Sequence, residues 1–81
     1  MRRNKLLNRA RNNPDGLRFS EFETLMRQCG WTERRQRGSH RIWYSPQGYR
    51  LSLQSSGNMA KGYQVRQFLE RYEEEVSNGE E

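Results

Sequence analysis

The residues with the clearest capacity for chemistry lie between Arg34 and Arg41, where the sequence reads Arg-Arg-Gln-Arg-Gly-Ser-His-Arg. His40 is the only histidine of the chain, and imidazole is the side chain that exchanges protons near neutral pH. No Asp or Glu occurs from Arg34 to Leu69, so this stretch should project positive potential and attract a polyanion. A proton-exchanging group within a phosphate-attracting stretch predicts RNA cleavage.

Cleavage of RNA without a metal needs a base and a set of positive donors. The 2′-OH of the RNA attacks the adjacent phosphorus, the base accepts its proton, and the donors stabilise the charged phosphorane. We assign His40 as the general base. The predicted contacts to RNA phosphates are six basic side chains and one hydroxyl: Arg34, Arg35, Arg37, Ser39, Arg41, Lys61 and Arg66. The proton donor to the leaving 5′-oxygen stays open between Tyr44, Lys61 and water.

A structural role is the alternative for His40. Strict alternation along a strand puts it on the same face as Ile42 and Tyr44, and an apolar face of this kind is compatible with the core. In that case the protein is a non-catalytic RNA-binding module, similar to a double-stranded-RNA-binding domain, whose arginines hold phosphates. Trp43 and Tyr49 are interpreted as core residues, with stacking on RNA bases as their alternative.

Composition restricts the class of protein. The chain has 81 residues, a net charge of +5 and 31% hydrophobic residues, which indicates one small domain with a thin core and an anionic partner, either nucleic acid or an acidic protein. Cys29, the only cysteine, is interpreted as a core residue rather than a nucleophile. One cysteine and one histidine are too few for a structural zinc site, so no metal and no cofactor are expected. The lack of a long apolar run and of a signal peptide predicts a soluble cytoplasmic protein without membrane contact.

The hydrophobic pattern predicts an α+β domain of two layers in the order α-β-β-β-α. Segment 1–16 is predicted as a short, weakly anchored basic helix or arm and segment 77–81 as a polar tail, on either side of a domain over 17–76. The predicted elements of the domain are a helix Glu21–Cys29 begun by a capping box of Ser20 and Glu23, strands Trp31–Arg37, His40–Ser45 and Tyr49–Gln54, and a helix Tyr63–Val76. Both helices should cover one face of the three-stranded antiparallel sheet, in the order of double-stranded-RNA-binding domains (dsRBDs).

Two motifs resemble those of the HicA toxins. The first is Gly30-Trp31 followed by Arg35-Gln36-Arg37-Gly38-Ser39-His40. The second is Ala60-Lys61-Gly62-Tyr63-Gln64-Val65, which is similar to a HicA subgroup whose last helix begins with the pattern AKxYQV. The resemblance spans Phe19 to Tyr72, most of the chain.

The resemblance implies a small bacterial ribonuclease of a type II toxin–antitoxin system, with a dsRBD-like fold, mRNA as its substrate, no metal requirement and a HicB-type antitoxin as its partner. It also implies that His40 is the catalytic histidine. Many HicA proteins carry a second histidine near the end of the third strand, but here that neighbourhood reads Ser52-Leu53-Gln54-Ser55-Ser56. A two-histidine acid–base scheme is therefore excluded. A HicA-like protein that has lost cleavage and only binds is a further alternative.

Overall fold

Three helices and a three-stranded sheet make up the part of the chain that the computed structural model describes, residues 4–38 and 40–79. The elements are α1 (Lys5–Asn12), a 3₁₀ turn (Pro14–Gly16), α2 (Phe19–Gln28), β1 (Thr32–Arg37), β2 (His40–Tyr44), β3 (Arg50–Leu53) and α3 (Gly62–Gly79). The strands form one antiparallel sheet in the order β1-β2-β3. This architecture confirms the predicted α+β, dsRBD-like fold. No helix in the described part is long and apolar enough to cross a membrane.

Side-chain alternation along β2 divides the sheet into two faces. On one face Trp43 lies opposite Leu51 of β3. Trp43, Leu51 and Leu53 belong to the same buried cluster as Phe22 of α2 and Phe68 of α3, so the helices cover this face. We call it the helix face. The neighbouring positions of β2 point the other way, onto what we call the open face.

Aromatic rings form the centre of the core. Phe68 of α3 lies edge-on to Phe22, with 5.7 Å between ring centroids, and edge-on to Trp31 at 5.2 Å. Tyr72 stacks on the same phenylalanine ring at 5.9 Å. Because each aromatic side chain buries a large area, a few of them close the core of a chain that is poor in apolar residues.

A glycine cap ends α2 and directs the chain into β1. Gly30 has a φ of 88°, in the left-handed region, and its amide donates to the carbonyl of Arg27 at 3.1 Å. The amide of Trp31 donates to the carbonyl of Met26 at 2.9 Å, which completes a Schellman motif. The motif turns Trp31 into the core, where it is 2% exposed. Gly30 and Trp31 therefore have a structural function in connecting α2 to β1.

The predicted capping box at the start of α2 is wrong. The helix begins at Phe19 rather than Glu21, and the carboxylate of Glu21 accepts a hydrogen bond from the amide of Arg18 at 3.0 Å. Glu23 is instead buried, at 7% exposure. Both Arg18–Glu21 and Ser20–Glu23 have the spacing of a capping box, and serine is the better cap by residue type. A tertiary contact of Glu23 with the sheet, described below, overrides that local preference.

Helix α1 is anchored to the rest of the domain by burial and by ion pairs. Leu7 joins the core cluster. Arg9 donates two hydrogen bonds to Glu21 of α2, at 3.0 and 3.2 Å, and Arg11 pairs with Glu73 of α3. The hydrogen bond from Arg9 holds the pKa of Glu21 below its ordinary value. Within the segment predicted as a weakly anchored helix or arm, Lys5–Asn12 is thus a helix packed on the domain.

Helix α3 extends to Gly79, beyond its predicted end at Val76. The carboxylate of Glu75 is buried and accepts hydrogen bonds from the hydroxyl of Ser45 at 2.5 Å and from the Nε of Arg71 at 2.9 Å. Ser45 in turn accepts bonds from two backbone amides of the β2–β3 turn. These bonds tie the end of the helix to the sheet. They also offset the repulsion among neighbouring glutamates, which by itself favours fraying.

Replacing Gly30 with alanine should lower the melting temperature, because a Cβ in the left-handed region costs about 1–2 kcal/mol. In a domain of this size each kcal/mol corresponds to about 4–8 °C. Thermal unfolding followed by circular dichroism measures the shift. Gly30→Asn is the matched control, since asparagine tolerates this conformation better and should lose less stability. Melting of Gly30→Ala at the wild-type temperature would show that the cap does not require glycine.

Candidate nucleic-acid interface

A basic basin of about 390 Å³ occupies the open face of the sheet. Its walls are Arg34 and Arg35 of β1, Tyr44 of β2 and Arg50 of β3, and Ile42 forms its floor. Ile42 is 4% exposed although none of the described helices covers this face, because the long side chains around it shield it from water. We call this feature the arginine basin.

An irregularity in β1 places two consecutive arginines on the same face. Glu33 pairs with Trp43 and Arg35 pairs with Ile42, so β1 has one extra residue, Arg34, at a β-bulge. In a regular strand neighbouring side chains point to opposite faces, yet both arginines line the basin. The bulge therefore doubles the number of guanidinium groups that β1 contributes to the basin.

The three arginines of the basin carry charge that no described carboxylate balances. Every salt bridge in the described part of the chain involves some other arginine, and none involves Arg34, Arg35 or Arg50. The guanidinium of Arg34 lies over the ring of Tyr44, at 5.7 Å from its centroid. Converging guanidinium groups without counter-charges attract anions, and their planar fork of N–H donors matches the oxygens of a phosphate.

His40 lies on the same open face as the basin. It begins β2 and pairs with Arg37, and alternation puts it in line with Ile42 and Tyr44. Its side chain is exposed. At a strand rise of about 3.3 Å per residue, His40 is about 6.6 Å along β2 from the floor of the basin. The alternative that His40 packs in the core is wrong, because the core lies on the other face.

Arg41 points to the helix face and is already paired. Its guanidinium donates to the buried carboxylate of Glu23 at 2.7 Å and lies over the ring of Phe19 at 5.7 Å. It therefore joins α2 to the sheet. The stretch without acidic residues, from Arg34 to Leu69, did not reveal this partner. Glu23 precedes the stretch in the sequence, and the fold brings it to β2.

Arg66 and Lys61 are not among the residues that line the basin. Arg66, exposed on α3, pairs with Asp15 at 3.1 Å. Lys61 immediately precedes α3. Ser39 and the side chain of Arg37 lie outside the described part of the structure. A contact between any of these residues and RNA stays a prediction.

Sequence analysis missed Arg50 and considered Tyr44 only as a proton donor. The two are direct cross-strand partners on the open face. Alternation in β3 does assign Arg50 to the polar side of its strand, which is a signal available in the sequence. The strand register and the bulge determine which arginines of β1 share that face. The hydrophobic pattern of the sequence predicts neither of them.

Trp43 and Tyr49, for which core packing and stacking on RNA bases were the alternatives, lie in different environments. Trp43 is fully buried, which confirms the core interpretation and excludes stacking on RNA bases. Tyr49 is 40% exposed in the β2–β3 turn. Its ring lies edge-on to Trp31, with 6.5 Å between ring centroids, and the guanidinium of Arg71 lies over it at 4.7 Å from the centroid. The interpretation of Tyr49 as a core residue is therefore wrong.

Cys29 is a packing residue. It packs against the core cluster after α2, and burial raises the pKa of its thiol to about 11. Such a thiol stays protonated near neutral pH and is a poor nucleophile. Among the described residues, no three His, Cys, Asp or Glu side chains come together as they would around a metal ion.

Comparison with known proteins gives one match. A family model described as the HicA toxin of bacterial toxin–antitoxin systems matches residues 19–72, more than half of the chain. The matched segment begins at α2 and ends within α3, so it contains the whole sheet, the arginine basin and His40. No curated protein and no solved structure matches the chain.

Replacing Arg41 with glutamine should destabilise the fold, because the substitution leaves the buried carboxylate of Glu23 without its partner. The expected loss is about 1–3 kcal/mol. Combining Arg41→Gln with Glu23→Gln should recover part of that loss, since no unpaired charge remains. Urea unfolding of the wild type, both single variants and the double variant gives the coupling free energy. A coupling near zero would contradict the structural role of the pair.

Iodoacetamide should modify Cys29 about 100-fold more slowly at pH 8 in the folded protein than in the urea-unfolded chain, because a pKa raised from 9.0 to about 11 lowers the thiolate fraction by about that factor. The rate for the folded protein should then rise about tenfold per pH unit up to about pH 10. Mass spectrometry of the alkylated chain gives both rates. Equal rates in the two states would show that folding does not protect the thiol.

Proposed function

This chain belongs to the HicA family of toxins from bacterial toxin–antitoxin systems, and from that premise we propose that it is a metal-independent endoribonuclease that cleaves mRNA. The observation that carries the proposal is the position of His40, an exposed imidazole on the open face beside a basin of unbalanced arginines. A proton acceptor and a phosphate-binding surface are the two parts that this chemistry needs.

In the proposed reaction His40 acts as the general base. Its neutral imidazole accepts the proton of the RNA 2′-OH while that oxygen attacks the neighbouring phosphorus. The bond from phosphorus to the 5′-oxygen breaks, and that oxygen takes up a proton. The products are a 2′,3′-cyclic phosphate and a 5′-hydroxyl end. Arginine N–H groups stabilise the charge that develops on the non-bridging oxygens.

Arg34 and Arg35 are the proposed phosphate contacts with the most support, because both line the basin beside His40. Their guanidinium groups have no carboxylate partner in the described part of the chain, so binding a phosphate breaks no existing ion pair. The other contacts are proposed on sequence grounds. They are Arg37, Ser39, Lys61 and Arg66. Arg41 is left out of the proposed contacts, because its guanidinium is paired with the buried Glu23 on the helix face.

Water is the proposed proton donor to the leaving oxygen. Tyr44 shares the open face with His40, but it lies four positions further along β2, at a distance of about 13 Å. An acid and a base that serve the same phosphate must lie closer together than that. Lys61 directly precedes α3, which packs on the helix face, whereas His40 lies on the open face. Water can reach the exposed imidazole of His40, so protonation of the leaving 5′-oxygen by water requires no further side chain.

A HicB-type antitoxin is the proposed partner. Family members are toxins of toxin–antitoxin pairs, and an acidic antitoxin surface laid over the open face would cover His40 and pair with the arginines of the basin. Cleavage of mRNA places the protein in the cytoplasm. The proposal needs no cofactor.

Replacing His40 with alanine should lower the rate of RNA cleavage by about 10²–10⁴-fold, the usual contribution of a positioned base. Because the side chain is exposed, its removal leaves no cavity and should preserve the melting temperature and RNA affinity. Gel analysis of a long mRNA with each protein measures cleavage. Equal cleavage by both would remove His40 from the mechanism. RNA binding by a wild type that does not cleave would assign the protein to non-catalytic binding modules.

The control for this prediction is the same assay in excess EDTA. Cleavage by the wild type should persist, since the proposed base and donors are all protein groups. Mass spectrometry of the fragments should find 2′,3′-cyclic phosphate and 5′-hydroxyl ends. Inhibition by EDTA, or 5′-phosphate ends, would mean that a metal-activated water is the nucleophile and that the proposed mechanism is wrong.

A further inference from the structure

We propose that the arginine basin is a subsite for the RNA phosphate next to the one that is cleaved, and that Arg50 and Tyr44 belong to this subsite. The inference rests on the proposed function, because it takes His40 as the position of the cleaved phosphate. It adds a third strand to the RNA-binding surface, since Arg50 comes from β3. It also makes efficient cleavage depend on more than one phosphate of the substrate.

The spacing along β2 fits one nucleotide. Ile42, the floor of the basin, is two residues from His40, which corresponds to about 6.6 Å along the strand. Successive phosphates of an extended single strand are spaced by a similar distance. An RNA strand that follows β2 with one phosphate at His40 therefore carries the next phosphate over Ile42. Ile42 is the next residue after His40 on the open face of β2, so the two phosphate sites are adjacent.

The basin can hold a phosphate from both sides. Arg34 and Arg35 reach it from β1, and Arg50 reaches it from β3. The guanidinium of Arg34 lies over the ring of Tyr44, a cation–π contact that takes up none of its N–H donors. Ile42, which lies below the guanidinium groups, is apolar and buried. The attraction between these groups and a phosphate is therefore less screened than at an open surface.

RNA is a better match for the basin than a protein carboxylate because the basin continues the surface that holds His40. A strand bound at the imidazole must extend in at least one direction, and β2 leads directly from His40 to Ile42 and Tyr44. No described carboxylate forms a salt bridge with an arginine of the basin. The charge of the basin is therefore available at the place where the next phosphate arrives.

Salt-dependent binding is the first test, and it does not require cleavage. In a His40→Ala background, Arg50→Gln should weaken binding of single-stranded RNA and reduce the slope of log affinity against log salt by about 0.7, the value for one phosphate contact. Arg11→Gln is the matched control, because it removes the same charge from α1, where Arg11 pairs with Glu73. The control should leave the slope unchanged. Circular dichroism verifies that each variant is folded.

Substrate length is the second test. A dinucleotide has one phosphodiester, and one further nucleotide adds a second. With the wild type, this extension should raise kcat/KM about tenfold or more, because a hydrogen bond to a charged group contributes about that much. Extensions at the 5′ and 3′ ends are compared separately. Arg50→Gln should abolish most of this gain, and Arg11→Gln should retain it.

Each result decides one part of the argument. An unchanged salt slope in Arg50→Gln, or an equal gain from extension in Arg50→Gln and the wild type, overturns the subsite. If Arg50→Gln binds RNA like the wild type but loses affinity for an acidic partner protein, the basin is a protein-binding surface and the inference is wrong. If the wild type does not cleave RNA while the salt slope falls as expected, the proposed function fails and the phosphate site in the basin is supported.

Discussion

The burial of Trp43 is the constraint that determines which face of the sheet is free to bind. A buried tryptophan removes about 200 Å² from water, which contributes about 5 kcal/mol. Its indole N–H finds no partner among the described residues, at a cost of about 1–3 kcal/mol, so burial still dominates. Because side chains alternate along β2, anchoring Trp43 under the helices forces His40 and Tyr44 onto the other face. A slip of one residue would bury the histidine and expose the tryptophan.

Periodicity was sufficient to predict the elements but not the faces of the sheet. The apolar spacing of α2 and the alternation in β3 predicted both elements to within two residues of their bounds, because the core buries those same positions. In β2 both faces carry apolar side chains, Ile42 on one and Trp43 on the other, so alternation alone cannot say which face meets the helices. The choice depends on the shape of the core, which several distant segments build together.

The division of the arginines into paired and unpaired groups follows from the two-layer architecture. The carboxylates of Glu21, Glu23 and Glu73 lie on helices, and the helices pack on one face of the sheet. They meet arginines on their own side, Arg41 among them, and none reaches the basin. The lack of acidic residues along the middle of the sequence correctly indicated a basic surface. That lack could not indicate which arginines of the basic surface form ion pairs with carboxylates in the folded protein.

The bulge in β1 also limits how another protein chain can approach. β1 is an edge strand, and a regular edge offers its backbone N–H and C=O groups to any strand that adds to the sheet. Here the extra residue at Arg34 interrupts the hydrogen-bonding pattern, and charged side chains from Glu33 to Arg35 flank it. Edge-to-edge pairing of two copies at β1 is therefore unfavourable. The same irregularity that concentrates charge on the open face thus directs a partner away from this edge, to the open face or to β3, the other outer strand.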